Sequence, residues 1–336
     1  MFGEYLKKYR IANNLTQSQA AAKLNLLGGD LSNIDTVTFS RWERGITKPT
    51  ISRSIRVLRE FSNNLEPYLS DLSRIQRKEI SSRVRIEEFD MVMNSKYRSL
   101  NSLILRANYQ AATPMKATPI CECPIGSTRD SEAVNAILQF HEQTSDEFVT
   151  HGLNKIDFLD YCRRQRLIAY KYIDNSNGEL IGHNVGAIFT PEIMLSELNN
   201  LNANYIDEID LKKTTPYGEN RRLAYYAISQ HSLNERAFRL QLYREIKFLA
   251  SHANITEYYA AVVLESSVQL LEKMGFSVVA YENKSETGAI KIGKNSYSKA
   301  LMHIEMSQFF SQPEILNLLT KCEECLTPCS IKSPCC

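Results

Sequence analysis

Between Asp35 and Gly45 the chain reads Thr36-Val37-Thr38-Phe39-Ser40-Arg41-Trp42-Glu43-Arg44, and this stretch constrains the fold more than any other. Asp35 is an acceptor suited to an N-cap and Gly45 supplies a left-handed stop, so the segment is a short helix closed at both ends. Phe39 and Trp42 lie three apart and share one face, while Thr36, Val37, Ser40 and Arg41 point elsewhere. Two bulky aromatics on so short a helix need a scaffold to bury them. The flanking sequence offers one. Residues 1–13 place Phe2, Tyr5, Leu6, Tyr9 and Ile11 at near-helical spacing, with Lys7, Lys8 and Arg10 on the outer side. Thr16 caps a second helix through the strong helix formers Ala20-Ala21-Ala22-Lys23-Leu24, and Pro49-Thr50 open a fourth that runs to about Phe61.

Charge is distributed unevenly. The 336 residues carry a net charge of only +2, but residues 1–61 hold four Lys and six Arg against five Asp or Glu. Basic groups cluster where neutralising phosphates would require them. The length implies two domains, no run approaches the roughly 18 apolar residues of a membrane span, and the polar start carries no secretory signal, so a cytoplasmic address without membrane contact is expected. Under that expectation a disulfide framework is disfavoured for the eight cysteines, five of which fall in the last fifteen residues.

The order of parts across residues 2–61 resembles the Cro/XRE-like helix-turn-helix family of phage-repressor type. The resemblance rests on a basic first helix, Thr16-Gln17 opening the second, a turn, then Thr38-Phe39-Ser40-Arg41-Trp42-Glu43-Arg44-Gly45 and Lys48-Pro49. It implies double-stranded DNA as partner, a recognition helix entering the major groove, and transcriptional regulation. Carried over, Thr36, Val37 and Arg41 become base-reading positions, with Thr38 and Ser40 on the same helix. Arg41 has the chemistry to bond guanine O6 and N7 together, and Val37 to touch a thymine methyl. Gln17 matches a phosphate contact, and Arg44 and Lys48 flank the groove. Each has a plainer role available: Arg44 pairing with Glu43, Gln17 serving only the capping turn. One departure stands out: residues 26–34 make the inter-helix turn about nine residues long, where the family uses three or four. One recognition helix reads few base pairs, so a homodimer is expected.

Residues 65–120 read as a charged, loosely periodic helical connector, and a turn-rich break at 112–126 precedes a change to alternating strands and helices. Strands are expected near 167–173, 180–189, 223–228, 258–264, 278–281 and 301–306, with a long amphipathic helix at 235–252. The strand-turn-strand Ala169-Tyr170-Lys171-Tyr172 to Gly178-Glu179-Leu180-Ile181-Gly182, the strand and long helix of 223–252, and Leu270-Leu271-Glu272-Lys273-Met274-Gly275-Phe276 resemble the GNAT acetyltransferase superfamily. The fold class is therefore multidomain: an all-α helix-turn-helix domain (1–64), the connector (65–120), a GNAT-like α/β domain with a mixed sheet (121–311) and a Cys-rich tail (312–336).

The GNAT resemblance implies a coenzyme A pyrophosphate held by a Gly-rich turn at a helix start. Here that junction reads Ser229-Gln230-His231-Ser232-Leu233-Asn234-Glu235-Arg236, with no glycine between Gly218 and Gly275. Glu235 would repel a phosphate, and Arg236 and Arg239 would partly offset it. Leu271 replaces the tyrosine that often serves as general acid, leaving Tyr258, Tyr259, Glu265 and His231 as acid–base candidates. Two readings stay open: a degenerate fold that senses a small-molecule or acyl ligand or mediates assembly, and an N-acyltransferase with an unusual donor, acetyl-CoA or an acyl carrier protein. Finally, Cys322-Glu323-Glu324-Cys325 with Cys329 could present thiolates to zinc, against a reduced tail as the plainer reading.

Overall fold

The computed structural model describes residues 1–96, 120–144, 152–200, 209–233, 235–281 and 290–325. Four helices form the N-terminal domain: α1 (Phe2–Ala12), α2 (Gln17–Asn25), α3 (Thr36–Glu43) and α4 (Ile51–Arg59). Their ends are fixed locally. Thr16 and Gln19 form a reciprocal capping box, with Gln19 N donating to Thr16 Oγ1 at 3.2 Å and Thr16 N to Gln19 Oε1 at 2.9 Å. Asp35 Oδ1 accepts the Thr38 amide at 2.6 Å, and Thr50 Oγ1 accepts that of Arg53 at 3.3 Å. Gly45, at φ +72°, ends α3.

Two helices follow, α5 (Glu66–Gln76) and α6 (Ile80–Lys96), and both bury side chains. The part of the expected connector at 97–119 lies outside the described residues. The sheet domain then runs β1 (Ile120–Pro124), α7 (Ser131–Thr144), α8 (Phe158–Arg163), β2 (Leu167–Asp174), β3 (Leu180–Phe189), α9 (Pro191–Asn200), β4 (Leu223–Ser232) and α10 (Glu235–Ser251). It continues with β5 (Ile255–Val262), α11 (Glu265–Lys273), β6 (Ser277–Tyr281), β7 (Ile290–Ile292), β8 (Asn295–Tyr297), β9 (Ala300–Glu305), α12 (Met306–Phe309) and α13 (Pro313–Cys325).

Among the described residues the main sheet has the order β1-β2-β3-β4-β5-β9-β6. β4 and β5 run parallel and the other neighbours antiparallel, so the sheet is mixed, as the α/β reading requires. β4 is irregular at Ile228, where its register to β3 shifts, and its pairing with β5 ends at Ala227–Ala260. Residues 229–232 of β4 pair with β3 alone. One sheet face carries α7, α8 and α9 through Val134, Ile137, Phe158 and Met194. The other carries α10 and α11, and its core is continuous with that of the N-terminal domain through Phe61, Leu65, Tyr68, Leu249, Ala250, Phe309 and Leu316.

Two boundaries differ from the sequence reading. Residues 120–124, placed there within a turn-rich break, form the first strand and pair with β2. Pro124 ends this strand at the edge of the sheet, where among the described residues no further neighbour needs its missing N–H. The segment from 312, read as a tail, begins with α13, whose Ile315, Leu316, Leu318 and Leu319 are buried in the main core. Cys322 and Cys325 fall on the last turns of that helix, and Cys329 lies outside the described residues.

Candidate nucleic-acid interface

Helix α3 is held by its inner face. Phe39 and Trp42 are buried, Phe2 packs edge-on against Trp42 with ring centroids 6.1 Å apart, and Phe61 does the same to Phe39 at 6.2 Å. Gly3 permits the close crossing of α1 on α3: a Cβ there would lie 2.2 Å from the Trp42 carbonyl oxygen. The opposite face of α3 is open. Thr36, Val37 and Arg41 are exposed, Thr38 and Ser40 partly so, and Arg44 and Lys48 stand exposed beyond the helix end. The Thr38 hydroxyl and amide hold the Asp35 carboxyl below its ordinary range, so the helix cap stays anionic.

A buried ionic clamp joins the three helices. Arg10 Nε meets Glu43 Oε1 at 2.6 Å, and Gln17 Nε2 donates to Glu43 Oε2 at 2.6 Å. Glu43 therefore serves α1 and α2 and not Arg44, whose Nε lies 3.3 Å from the Ser40 carbonyl. One amide hydrogen of Gln17 is thus spent inside the protein, while its place at the start of α2 still puts it where helix N–H groups face outward. Sequence reasoning missed this clamp because its members stand 26 and 33 residues apart with no local pattern linking them.

The long inter-helix turn is a built element. A single 3₁₀ turn at Gly29–Leu31 and the buried Leu31 and Ile34 fill it, and Asn25 closes it by bonding both the Ile34 amide (2.9 Å) and its carbonyl (3.0 Å). Asp30 at its tip pairs with Arg56 at 3.1 Å, and Arg53 Nη2 donates to the Asp30 carbonyl at 2.5 Å.

Arg53 and Arg56 therefore do not belong to a phosphate-facing cluster, contrary to the charge reading. Arg56 also meets Glu305 of β9 at 3.5 Å. Arg59 is sunk at the same junction, where burial lowers it to about 10 against the support of Glu305, Glu60 and Glu257. Backbone bonds from Leu65 N to Ala250 O and from Ala253 N to Asn63 O, both 2.8 Å, seal the junction. Of the ten basic residues in 1–61, Arg56 and Arg59 thus fasten the module to the sheet domain and Arg53 closes the inter-helix turn.

The second candidate region is the start of α10. Arg239 bonds Glu235 at 2.7 Å and Asp90 of α6 at 2.9 Å, so two carboxylates already occupy the guanidinium that the coenzyme reading assigned to a phosphate. Alongside, Glu88 of α6 pairs with Lys273 of α11 at 3.3 Å, so α6 bridges α10 and α11. With Glu235 at the helix start and no glycine turn, the residues present do not fit a pyrophosphate in this arrangement.

Of the acid–base candidates, Tyr258 donates to Glu245 Oε1 at 2.7 Å inside the sheet–helix layer. Burial raises the Glu245 carboxyl, against its bonds from Tyr258, Tyr225 and Asn184. The Glu265 carboxylate caps the Lys291 amide at 2.6 Å, and Tyr259 stacks on His303 at 4.5 Å. His231 lies on β4 across from His183, whose Nε2 is 2.7 Å from Ser229 Oγ. Among the described residues no cluster of three or more His, Cys, Asp or Glu could hold a metal, and no helix is long and apolar enough to cross a membrane.

The comparisons with known proteins divide the same way. No curated protein sequence matches the chain. The sheet domain is similar to solved structures of Arabidopsis thaliana NAA60 in complex with acetyl-CoA (14% identity, TM-score 0.36, covering 56% of this chain and 98% of that one). It is similar also to the spermidine N-acetyltransferase of Vibrio cholerae in complex with CoA and spermine (12%, 0.34, 57% and 98%). A probable acetyltransferase of Staphylococcus epidermidis gives 11%, 0.33, 55% and 98%. The Helix-turn-helix family model matches residues 6–66, the four-helix segment that precedes the mixed-sheet domain.

Proposed function

We propose that the protein is a sequence-specific DNA-binding transcriptional regulator that acts as a two-fold dimer, its sheet domain serving as a rigid sensing or assembly unit. The carrying observation is the two-sided recognition helix: Phe39 and Trp42 lock α3 to its scaffold while Thr36, Val37 and Arg41 stand exposed along its outer face. Arg41 supplies the bidentate donor for a guanine edge, Val37 the apolar contact, and Arg44 and Lys48 the flanking charge. Selection of binding duplexes from a random pool with the full-length chain, followed by titration at two salt concentrations, tests this. Enrichment of an inverted repeat and an affinity falling steeply with salt are expected. Retention of random duplexes alone would remove the sequence-specific reading.

Acyl transfer by the sheet domain is the competing activity. A donor phosphate would have to displace Asp90 and Glu235 from Arg239, so calorimetric titration with acetyl-CoA is expected to give no saturable heat. Micromolar binding with turnover would favour the enzyme.

A further inference from the structure

Helix α6 is apolar on two opposite sides. Its inner side, Ser82, Ile86, Phe89 and Met93, docks on the body of the protein, with Ser82, Phe89 and Met93 buried. Arg85–Glu314 at 2.7 Å, Glu88–Lys273 and Asp90–Arg239 fix it there. The same 4-3-4 spacing recurs half a turn away as Ile80, Val84, Glu87 and Met91, and this set faces solvent: Ile80 is 72 % exposed, Val84 49 % and Met91 64 %. An ordinary surface helix carries one apolar stripe, so a second one marks a surface built to be covered.

We infer that the outer face of α6 is where two copies of this chain pair, antiparallel about a two-fold axis near residue 85. This rests on the dimeric regulator proposed above and names its contact surface. The charges on the stripe favour a second copy over other occupants. Arg83 stands near one end and Glu87 one turn along, both exposed and neither in an ion pair among the described residues. Antiparallel pairing sets Arg83 of each copy against Glu87 of the other, Ile80 against Met91, and the two Val84 side chains close to the axis. A nucleic acid or anionic membrane would ask for basic flanks alone. So small a contact falls short of the roughly 1,200 Å² of a stable interface, so the pairing is weak in solution and is strengthened when two half-sites hold the copies together.

The test is sedimentation of the full chain over a concentration series, with Arg83→Glu, Glu87→Arg and the double exchange, repeated on a duplex selected from the random pool. Each single exchange should weaken self-association about tenfold or more and reduce cooperative filling of the two half-sites to independent binding. The double exchange should restore both, which a merely misfolded variant would not do. Three results would overturn the inference: a parent chain that is monomeric throughout and fills half-sites independently; single exchanges that leave association unchanged; or a double exchange that fails to restore it. Loss of self-association in the single variants, with no duplex ever enriched by the parent, would instead retain the pairing surface and remove the DNA reading.

Discussion

The helix-turn-helix module and the sheet domain satisfy their polar groups in different ways. In the module the helix starts are closed by side-chain bonds within one turn: Thr16 with Gln19, Asp35 with Thr38, Thr50 with Arg53. In the sheet domain the bonds that tie strand to strand and strand to helix join distant parts of the chain. His183 meets Ser229 across 46 residues, Asn184 meets Glu245 across 61, and Lys171 meets Asp130 across 41. Local caps fix helix boundaries whatever the rest of the chain does, whereas the sheet network exists only after the strands have paired. The helix boundaries of the module can thus be read one at a time, while the sheet network forms as a unit.

The largest expected effect sets this difference at risk. Trp42→Ala should cost about 3–5 kcal/mol by leaving a cavity between α1, α3 and α4, abolishing duplex binding. Thermal unfolding followed by circular dichroism should show the module melting early and the sheet domain near its parent temperature. If both shift together, the shared core makes them one cooperative unit and the contrast fails.

Arg41→Ala should leave the fold intact and cost about 1–3 kcal/mol on the selected duplex, with little change on a scrambled one. Equal binding of both duplexes at parental affinity would show that α3 does not read bases through this residue.

Asp130 sharpens the sheet side. It is buried, which would raise its carboxyl, but the ammonium of Lys171 and the amides of Gly126 and Ser127 outweigh that and hold it at about 2, below the ordinary 3.8. The unfolded chain therefore takes up the proton first. Stability from this group is full above about pH 4 and is lost as the pH falls toward 2. Asp130→Asn should cost about 1–2 kcal/mol at pH 7, converge with the parent near pH 2 in denaturant melts, and leave duplex affinity unchanged. A pH-independent difference would show that the carboxylate charge is not what stabilises this corner.

The smallest effect concerns Gln17. Gln17→Ala removes one bond to Glu43 and leaves Arg10 on that carboxylate, so a loss of about 1 kcal/mol is expected. It should weaken selected and scrambled duplexes alike with an unchanged salt slope, because no counterion is released by a neutral amide. A changed slope would indicate that the Arg10–Glu43 pair has been disturbed as well.

The sequence by itself determined the helices of the module, the Thr16 and Asp35 caps, the Gly45 stop, the inward Phe39 and Trp42 and the long turn before α3, because each depends on residues within about one helix turn. It also carried the alternation of strands and helices in the sheet domain, since periodicity is a property of neighbouring residues. Only the tertiary structure decided what the charges are for. Arg53, Arg56 and Arg59 counted toward a phosphate-facing cluster until β9 and the 26–34 turn supplied carboxylates, and Arg239 read as a cofactor contact until α6 brought Asp90 to it. The short strand at 120–124 and the buried start of α13 escaped for the same reason. An edge strand is defined by the neighbour it pairs with, and a terminal helix by the surface it covers, and both lie far away along the chain.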